Sequence, residues 1–205
     1  TASSVPGDGD GGGVYCYAGD ITLTDCTILS NQSTNSGGGL GSNSGEITLV
    51  NCDVSYNATG TNGGGLRWAG STSVLQITGG SFIGNATTTG GGTGGGGGIA
   101  IGNGSIVALE QSSIHNVNIS GNQSAGPGGG LHYVILNALA VGPHMLSNCT
   151  VVGNSGGHGG GISCQGAGPI NQVLIQNCQI SQNHALSGSG GGINIHWCNP
   201  EIAYC

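Results

Sequence analysis

The sequence has almost no basic charge. One of its 205 residues is basic, Arg67, and there is no lysine, whereas eight carboxylates give a formal net charge of −7. Phosphate backbones and anionic membrane surfaces are held by clusters of Lys and Arg. The composition therefore argues against nucleic acid and against an anionic membrane surface as partners.

Long apolar runs are also missing. The longest, Tyr133 to Val141, is interrupted by Asn137 and falls short of the roughly 20 residues of a membrane-spanning helix. The sequence thus predicts no membrane span. No signal peptide is visible at Thr1, as expected of a chain that has been processed or cut from a longer one.

Glycine, by contrast, is abundant and periodic. A triplet of glycines followed by an aliphatic residue recurs at intervals of 26 to 33 residues, and an apolar-x-x-Asn motif lies between successive triplets. A period of this size predicts stacked repeats. The aliphatic residues after the triplets are Val14, Leu40, Leu66, Ile99, Leu131, Ile162 and Ile193. The asparagines are Asn31, Asn57, Asn85, Asn122, Asn154 and Asn183.

Each repeat contains three short segments in which apolar residues alternate with others. In the clearest copy these are Leu40-x-Ser42, Ile47-x-Leu49 and Cys52-x-Val54. Alternation of this kind places one set of side chains on one face of a strand, and segments this short are poor independent hairpins. The simplest fold that explains both the repeats and the short segments is a coil, an all-β parallel β-helix of about seven turns with three parallel sheets. Glycine suits its corners, where positive φ and close stacking are needed.

The repeat motifs resemble a known family. Phe82-Ile83-Gly84-Asn85 and the Gly-Gly-small-aliphatic triplets are similar to the repeats of chlamydial polymorphic outer-membrane proteins. More broadly they resemble the right-handed parallel β-helices of the pectin-lyase-like type. The resemblance covers 11 to about 197 and implies a right-handed coil, but such coils serve as adhesins, enzymes and stalks alike.

Three regions follow from this organisation. Residues 1–10 are predicted to form a polar N-terminal arm, 11–197 the β-helix, and 198–205 a tail closed by cysteines. Asp8 and Asp10 in the arm are interpreted as solvated, with a calcium loop as the alternative. Because no amphipathic cap precedes or follows the repeats, we expect exposed strand edges at both ends, which invite pairing with other chains.

Seven Asn-x-Ser/Thr sequons, about twice the number expected by chance, suggest N-glycosylation in an extracytoplasmic setting. Asn118 and Asn148 flank inward residues and should point outward, and Asn103 lies in an Asn-Gly turn. The other four sequons coincide with the repeat asparagines, which could instead stack as an amide ladder. Both interpretations stay open for those four: Asn31, Asn57, Asn85 and Asn122.

Eight cysteines point to an oxidising compartment. Cys26 and Cys52 occupy one column in adjacent turns, as do Cys149 and Cys178, and Cys198 and Cys205 close the C-terminus. Stacked residues lie about 4.8 Å apart, within the Cα range of a disulfide, so these three pairs are predicted disulfides. Reduced interior thiols are the alternative. Cys16 and Cys164 are five turns apart, and their partners stay open.

Candidates for catalysis or metal binding are few. Asp20 and Glu46 share a column and could bind calcium or act as a glycosidase pair, yet nothing nearby completes a site. No Cys/His spacing suits a metal, and no cofactor is expected. The six histidines are interpreted as scattered turn and surface residues. Threonines do not form the regular outward array of an ice-binding face.

These observations lead to one main hypothesis and its alternatives. The chain is predicted to be a non-enzymatic extracellular or cell-surface structural protein, a glycosylated β-helical subunit that assembles head to tail into a filament. The alternatives are the passenger or binding module of a surface adhesin, a carbohydrate-active enzyme, and an ice-binding protein.

Overall fold

The chain folds as a stack of parallel β-strands. The computed structural model describes residues 10–69, 74–89, 94–102, 111–135, 143–166 and 173–205, and every regular element in these ranges is a β-strand. The strands form three sheets in which all neighbours run parallel. The predicted all-β parallel β-helix with three sheets is thus confirmed. No helix in the described ranges is long and apolar enough to cross a membrane.

The first sheet, called sheet A, follows the glycine triplets. Each strand begins at the aliphatic residue after a triplet, and these residues are in register from turn to turn, as Val14 with Leu40 and Leu40 with Leu66 show. The sequence motif therefore marks one strand per turn. The seven strands are Val14–Cys16, Leu40–Ser42, Leu66–Trp68, Ile99–Ile101, Leu131–Ile135, Ile162–Gly166 and Ile193–His196.

Sheet B combines the second and third predicted segments, which were expected to belong to separate sheets. A residue in the left-handed conformation joins them in most turns, for example Asn51 with φ of 50°, and the pair Gly79 and Gly80 does so in one turn. The backbone bends there without leaving the sheet, because Asn tolerates this conformation. The eleven strands are Ile21–Thr24, Thr27–Leu29, Ile47–Ser55, Val74–Ile83, Gln111–His115, Asn118–Ser120, His144–Ser147, Thr150–Val152, Val173–Gln176, Gln179–Ser181 and Glu201–Ala203.

Sheet C is a set of two-residue strands that each directly follow a repeat asparagine. Two residues are too few for an alternation of apolar and polar side chains to be recognised in the sequence. Its strands are Ala58–Thr59, Ala86–Thr87, Gln123–Ser124, Ser155–Gly156 and His184–Ala185.

The coil has about six complete turns, one fewer than predicted. Seven glycine corners bound six intervals, and after the last corner the chain adds strands to sheets A and B only. Sheet C therefore ends one level below the other two sheets, and the C-terminal end of the coil is stepped.

Inward-facing side chains from the sheets form one continuous apolar core. Leu40, Val54, Phe82 and Ile119 have no solvent exposure, and each such burial contributes about 1.5–3 kcal/mol. Trp68 is also enclosed, and its indole N–H donates to the carbonyl of Gly45 at 3.2 Å. The polar atom of the largest core side chain is thus satisfied.

The glycine triplets meet both expected requirements, at different positions within a triplet. Gly63, the first of its triplet, has φ of +61°, a conformation that glycine adopts without steric cost. Gly64, the second, has ordinary φ, but a Cβ there would lie 2.4 Å from the carbonyl oxygen of Gly97 in the next turn. The first glycine shapes the corner and the second permits close stacking.

Asp10 departs from the predicted solvated arm. It is 8% exposed, accepts a hydrogen bond from Asn35 Nδ2 at 3.0 Å, and lies 3.7 Å from the Arg67 guanidinium. The single basic residue of the chain therefore neutralises a buried carboxylate at the first corner. Asp8 and the rest of the predicted arm lie outside the described residues.

Candidate functional site: the polar ladders and the ends of the coil

The six repeat asparagines form a continuous ladder along the coil. The side-chain Nδ2 of each of the first five donates to the Oδ1 of the asparagine one turn further on, at 2.9–3.1 Å. The same Oδ1 also accepts the backbone N–H of the preceding asparagine, at 2.9–3.0 Å. The ladder interpretation is thereby supported over its whole length.

The second hydrogen of each interior amide is also used. Asn85 Nδ2 donates to the carbonyl of Val54 at 2.8 Å, and Asn57 Nδ2 donates to that of Ile28 at 2.9 Å. Asn57 and Asn85 have no solvent exposure. Buried amides must find partners because an unmade hydrogen bond is costly, and here the column supplies them.

A second column, made of hydroxyl side chains, explains why several ladder asparagines occur in Asn-x-Ser/Thr sequons. Four of the six ladder asparagines are followed two positions later by an inward-pointing hydroxyl residue; of these, Thr59 is 2% and Ser124 0% exposed. Some hydroxyls contact their neighbours along the coil: Ser33 Oγ lies 2.8 Å from Thr59 Oγ1, and Thr87 donates to Ser124 at 3.1 Å. The Asn-x-Ser/Thr pattern at these positions is a packing pattern.

Burial argues against glycans at three ladder positions. Asn57, Asn85 and Asn122 are at most 1% exposed and use Nδ2 as a donor inside the fold. A glycan attached to this nitrogen would displace those contacts. Asn31 is half-buried, and its Nδ2 donates to Asn57. The structure therefore favours the ladder alternative for all four sequons that had two interpretations.

The three remaining sequons stay predictions. Asn148 is exposed and Asn118 is half-buried on a strand of sheet B, so a glycan at either would project away from the core. Asn103 lies outside the described residues.

The cysteines are thiols in this structure. Cys26 and Cys52 are aligned in adjacent turns, as are Cys149 and Cys178, by the register of the strands beside them. The predicted disulfides between them stay predictions, since oxidation depends on the compartment. Cys198 and Cys205 differ: the Cys198 thiol contacts the carbonyl of Cys164, and the Cys205 thiol contacts those of Ile175 and Ala203.

The interior contains a polar cluster that sequence reasoning missed. Ser112 Oγ lies 3.0 Å from His144 Nδ1, and the His144 ring packs against that of Tyr133 with centroids 5.7 Å apart. His132 is also fully enclosed, which corrects the interpretation of all histidines as turn or surface residues. Burial lowers the pKa of His132 and of His144 to about 4. The Ser–His contact is sealed inside the coil.

Asp20 and Glu46 are aligned as predicted and exposed. Asp20 Oδ1 accepts the backbone N–H of Glu46 at 2.9 Å, so the carboxylate links adjacent turns. Within the described ranges no group of three or more His, Cys, Asp or Glu side chains could hold a metal ion.

The corners of the coil have a direction. Each triplet donates its backbone N–H groups to carbonyls of the next triplet along the chain: Gly12 donates to Gly37 and Gly160 to Gly190. At the last corner, Gly190, Gly191 and Gly192 have no acceptor among the described residues. At the first corner, no described residue donates to the carbonyls of Asp10, Gly11 or Gly13. Among the described residues, the last corner therefore has backbone donors without a partner, and the first corner has backbone acceptors without one.

The C-terminal end also exposes large apolar side chains. Trp197 is 72% and Tyr204 88% exposed, and both have positive φ at corners of the last turn. Three further apolar residues are 41–53% exposed there: Leu186, Ile195 and Ile202. Five of the eight large apolar side chains that are exposed in the described residues thus belong to the last turn.

A polar cleft of about 420 Å³ lies beside sheet A near the same end. Its walls carry imidazole, amide and hydroxyl groups, and the ring of His196 stacks on Trp197 with centroids 5.0 Å apart. The lining residues are Pro127, His158, Ser163, Gln165, Ser189, Asn194 and His196.

These features define the chain as a parallel β-solenoid whose first and last described glycine corners differ in their unpaired backbone groups. No protein-family model, curated protein or solved structure matches it.

Proposed function

We propose that the protein is an extracellular structural subunit whose coils stack head to tail into a filament. The observation that carries the proposal is the complementarity of the two ends. Donors at the last glycine corner face away from the coil, as do acceptors at the first corner. A second copy placed on the C-terminal end would supply the missing carbonyls.

The polarity of the corners selects one arrangement. Stacking two C-terminal ends would oppose donors with donors, and stacking two N-terminal ends would oppose acceptors with acceptors. Head-to-tail stacking pairs Gly190–Gly192 with the first corner of the next copy, and Ile193–His196 with its Val14–Cys16. This contact is heterologous and does not close, so it propagates.

Apolar contacts would add to the backbone pairing. Ile195 is 47% exposed, and Val14 and Ile21 at the other end are half-buried. In the register of the coil, Ile195 would cover the column that begins with Cys16. Burying these groups contributes about 25 cal/mol for each Å² removed from water.

The proposed extracellular setting is inferred from the sequence. Eight cysteines and the sequons at Asn118 and Asn148 favour a secreted or cell-surface location with attached glycans. The similarity of the repeats to chlamydial polymorphic outer-membrane proteins favours the same location. The structure shows the parallel coil. The family assignment and the right-handed sense of the coil are parts of this proposal.

The proposal is tested by electron microscopy and sedimentation of the purified chain. Seven levels of about 4.8 Å predict one-coil-wide filaments with an axial repeat of roughly 34 Å. Ile195→Glu, which places a charge on the contact face, should give single particles. Gln123→Glu, which adds the same charge on the exposed side of sheet C, should still assemble.

Single particles of the unaltered chain at high concentration would overturn the proposal, as would filaments of Ile195→Glu as long as those of the control. The melting temperature of each variant shows whether the coil itself has folded.

The polar cleft favours a second candidate, the binding module of an adhesin. Its imidazole, amide and hydroxyl groups suit a neutral, hydroxyl-rich ligand such as a saccharide. Under that hypothesis the chain remains monomeric and binds members of a glycan panel. Asn194→Ala should then weaken binding without changing the melting temperature.

A further inference from the structure

The C-terminal cysteines have neighbours other than those expected from their nearness in sequence. Cys205 continues the column of Cys149 and Cys178, because Gln176 and Ala203 are paired in register two residues before Cys178 and Cys205. The three thiols make the same contacts. Each donates to the carbonyl two residues earlier, at 3.1–3.4 Å, and to a carbonyl of the previous turn at 3.6 Å.

Cys198 leaves this column and packs elsewhere. Its Sγ lies 3.3 Å from the carbonyl oxygen of Cys164, and the two residues are 6% and 0% exposed. Cys164 belongs to the inward column of sheet A, where the next level is Ile195. The chain therefore passes Ile195, turns at Trp197 with φ of 56°, and brings Cys198 back over the interior.

We propose that Cys164 and Cys198 form a disulfide that fastens the last segment of the chain onto the coil. Neither the pairing of Cys198 with Cys205 nor an isolated thiol at Cys164 agrees with this geometry. The bond would join the last two levels of the coil.

The acid–base properties of the two thiols agree with this pairing. Contact with the Cys164 thiol lowers the pKa of Cys198, and the same contact together with burial raises the pKa of Cys164. Cys198 is therefore the thiol that ionises first, and the thiolate is the attacking species in disulfide exchange.

The oxidation requires a small disulfide such as oxidised glutathione. The Cys198 thiolate attacks one of its sulfurs and forms a mixed disulfide, releasing one glutathione thiolate. Cys164 then loses its proton and attacks the Cys198 sulfur, releasing the second glutathione. The protein loses two hydrogens and two electrons, and the oxidant becomes two thiols.

Peptide mapping of the full chain tests the pairing. The protein is oxidised with glutathione, its remaining thiols are alkylated in acid denaturant, and it is digested without reduction. Cleavage after Glu201 separates Cys198 from Cys205, and cleavage after Leu174 and Leu186 isolates Cys178. Tandem mass spectrometry then assigns each linked peptide.

A peptide containing Cys164 joined to one containing Cys198 is the expected result. Cys198 bonded to any other cysteine, or recovered alkylated, overturns the proposal. In Cys198→Ser, Cys164 should become fully alkylated, whereas Cys205→Ser should leave the Cys164–Cys198 peptide unchanged.

Limited proteolysis tests independently whether the bond holds the last segment on the coil. The oxidised coil should be cut after Glu201 several-fold more slowly than the reduced coil, because the bond holds that segment down. Equal cleavage rates in a sample mapped as oxidised would show that Cys198 does not fasten the segment.

Discussion

Replacement of an interior rung of the asparagine ladder should be far more damaging than replacement of its first rung. Asn85→Ala removes the Oδ1 that accepts both the backbone N–H and the side-chain N–H of Asn57, each at 3.0 Å. Asn57 is fully buried, so water cannot replace these contacts. Two buried donors are left without acceptors, at about 1–3 kcal/mol each. The expected loss is about 2–6 kcal/mol.

Asn31→Ala is the matched control. Asn31 Nδ2 donates to Asn57 Oδ1, but that oxygen also accepts the backbone N–H of Asn31 at 2.9 Å. The substitution therefore leaves no buried group unpaired and removes one half-buried hydrogen bond, worth about 0.5–1.5 kcal/mol. Because both variants carry the same Asn→Ala change, the difference between their stabilities measures the effect of the interior position in the ladder.

Urea denaturation of the monomeric chain, followed by circular dichroism and tryptophan fluorescence, measures both variants. The two probes must agree, because coils of stacked repeats can unfold in parts. Equal losses for Asn85→Ala and Asn31→Ala, or a neutral Asn85→Ala, would refute the reasoning. A domain typically has only about 5–15 kcal/mol of stability, so the predicted difference is easily measured.

Three further predictions concern the core, the buried histidines and the sequons. Val54→Asp, at a position with no exposure, should prevent folding or cost several kcal/mol, whereas Val50→Asp on the outward face of the same strand should melt within a few degrees of the unaltered chain. Stability should fall as pH decreases from about 6.5 towards 4, by up to about 1.4 kcal/mol per pH unit for each buried histidine. The sign follows because burial lowers the pKa of His132 and His144 to about 4, so the unfolded chain binds more protons; a flat pH profile of urea midpoints would contradict it. After expression in a eukaryotic secretory host, intact-mass and peptide analysis should find no glycan on three buried ladder residues: Asn57, Asn85 and Asn122.

Much of the fold could be predicted because its signals repeat. The glycine triplets and the alternating segments occur at the same place in every turn, so Val14 and Ile193 can be recognised by analogy with Leu40. The register of sheet A follows from these marks alone, since one aliphatic residue after each triplet begins one strand. Because equivalent positions of successive repeats stack on one another, a local sequence motif also predicts contacts between residues that are far apart in the sequence.

Features without a repeated pattern could not be predicted in the same way. Sheet C has strands of two residues, too short for alternation to be detected. His132 and His144 occupy columns otherwise held by residues such as Ala100 and Val173, so only the three-dimensional neighbours show that they are enclosed. Cys198 lies beyond the last repeat, and no template position exists from which to infer its partner.

The sequons show how one pattern can have two physical causes. Asn-x-Ser/Thr attracts a glycan when exposed, yet the same spacing also places an amide and a hydroxyl in adjacent inward columns of this coil, as Asn57 and Thr59 do. The structure supplies the second cause, inward packing of the amide and the hydroxyl, at four of the seven positions. The amide column runs through all six repeat asparagines, so the polarity of its side-chain to side-chain hydrogen bonds is the same along the whole coil. The glycine corners have the same direction: each triplet donates towards the next, which leaves donors at Gly190–Gly192 and acceptors at Asp10–Gly13 without partners among the described residues.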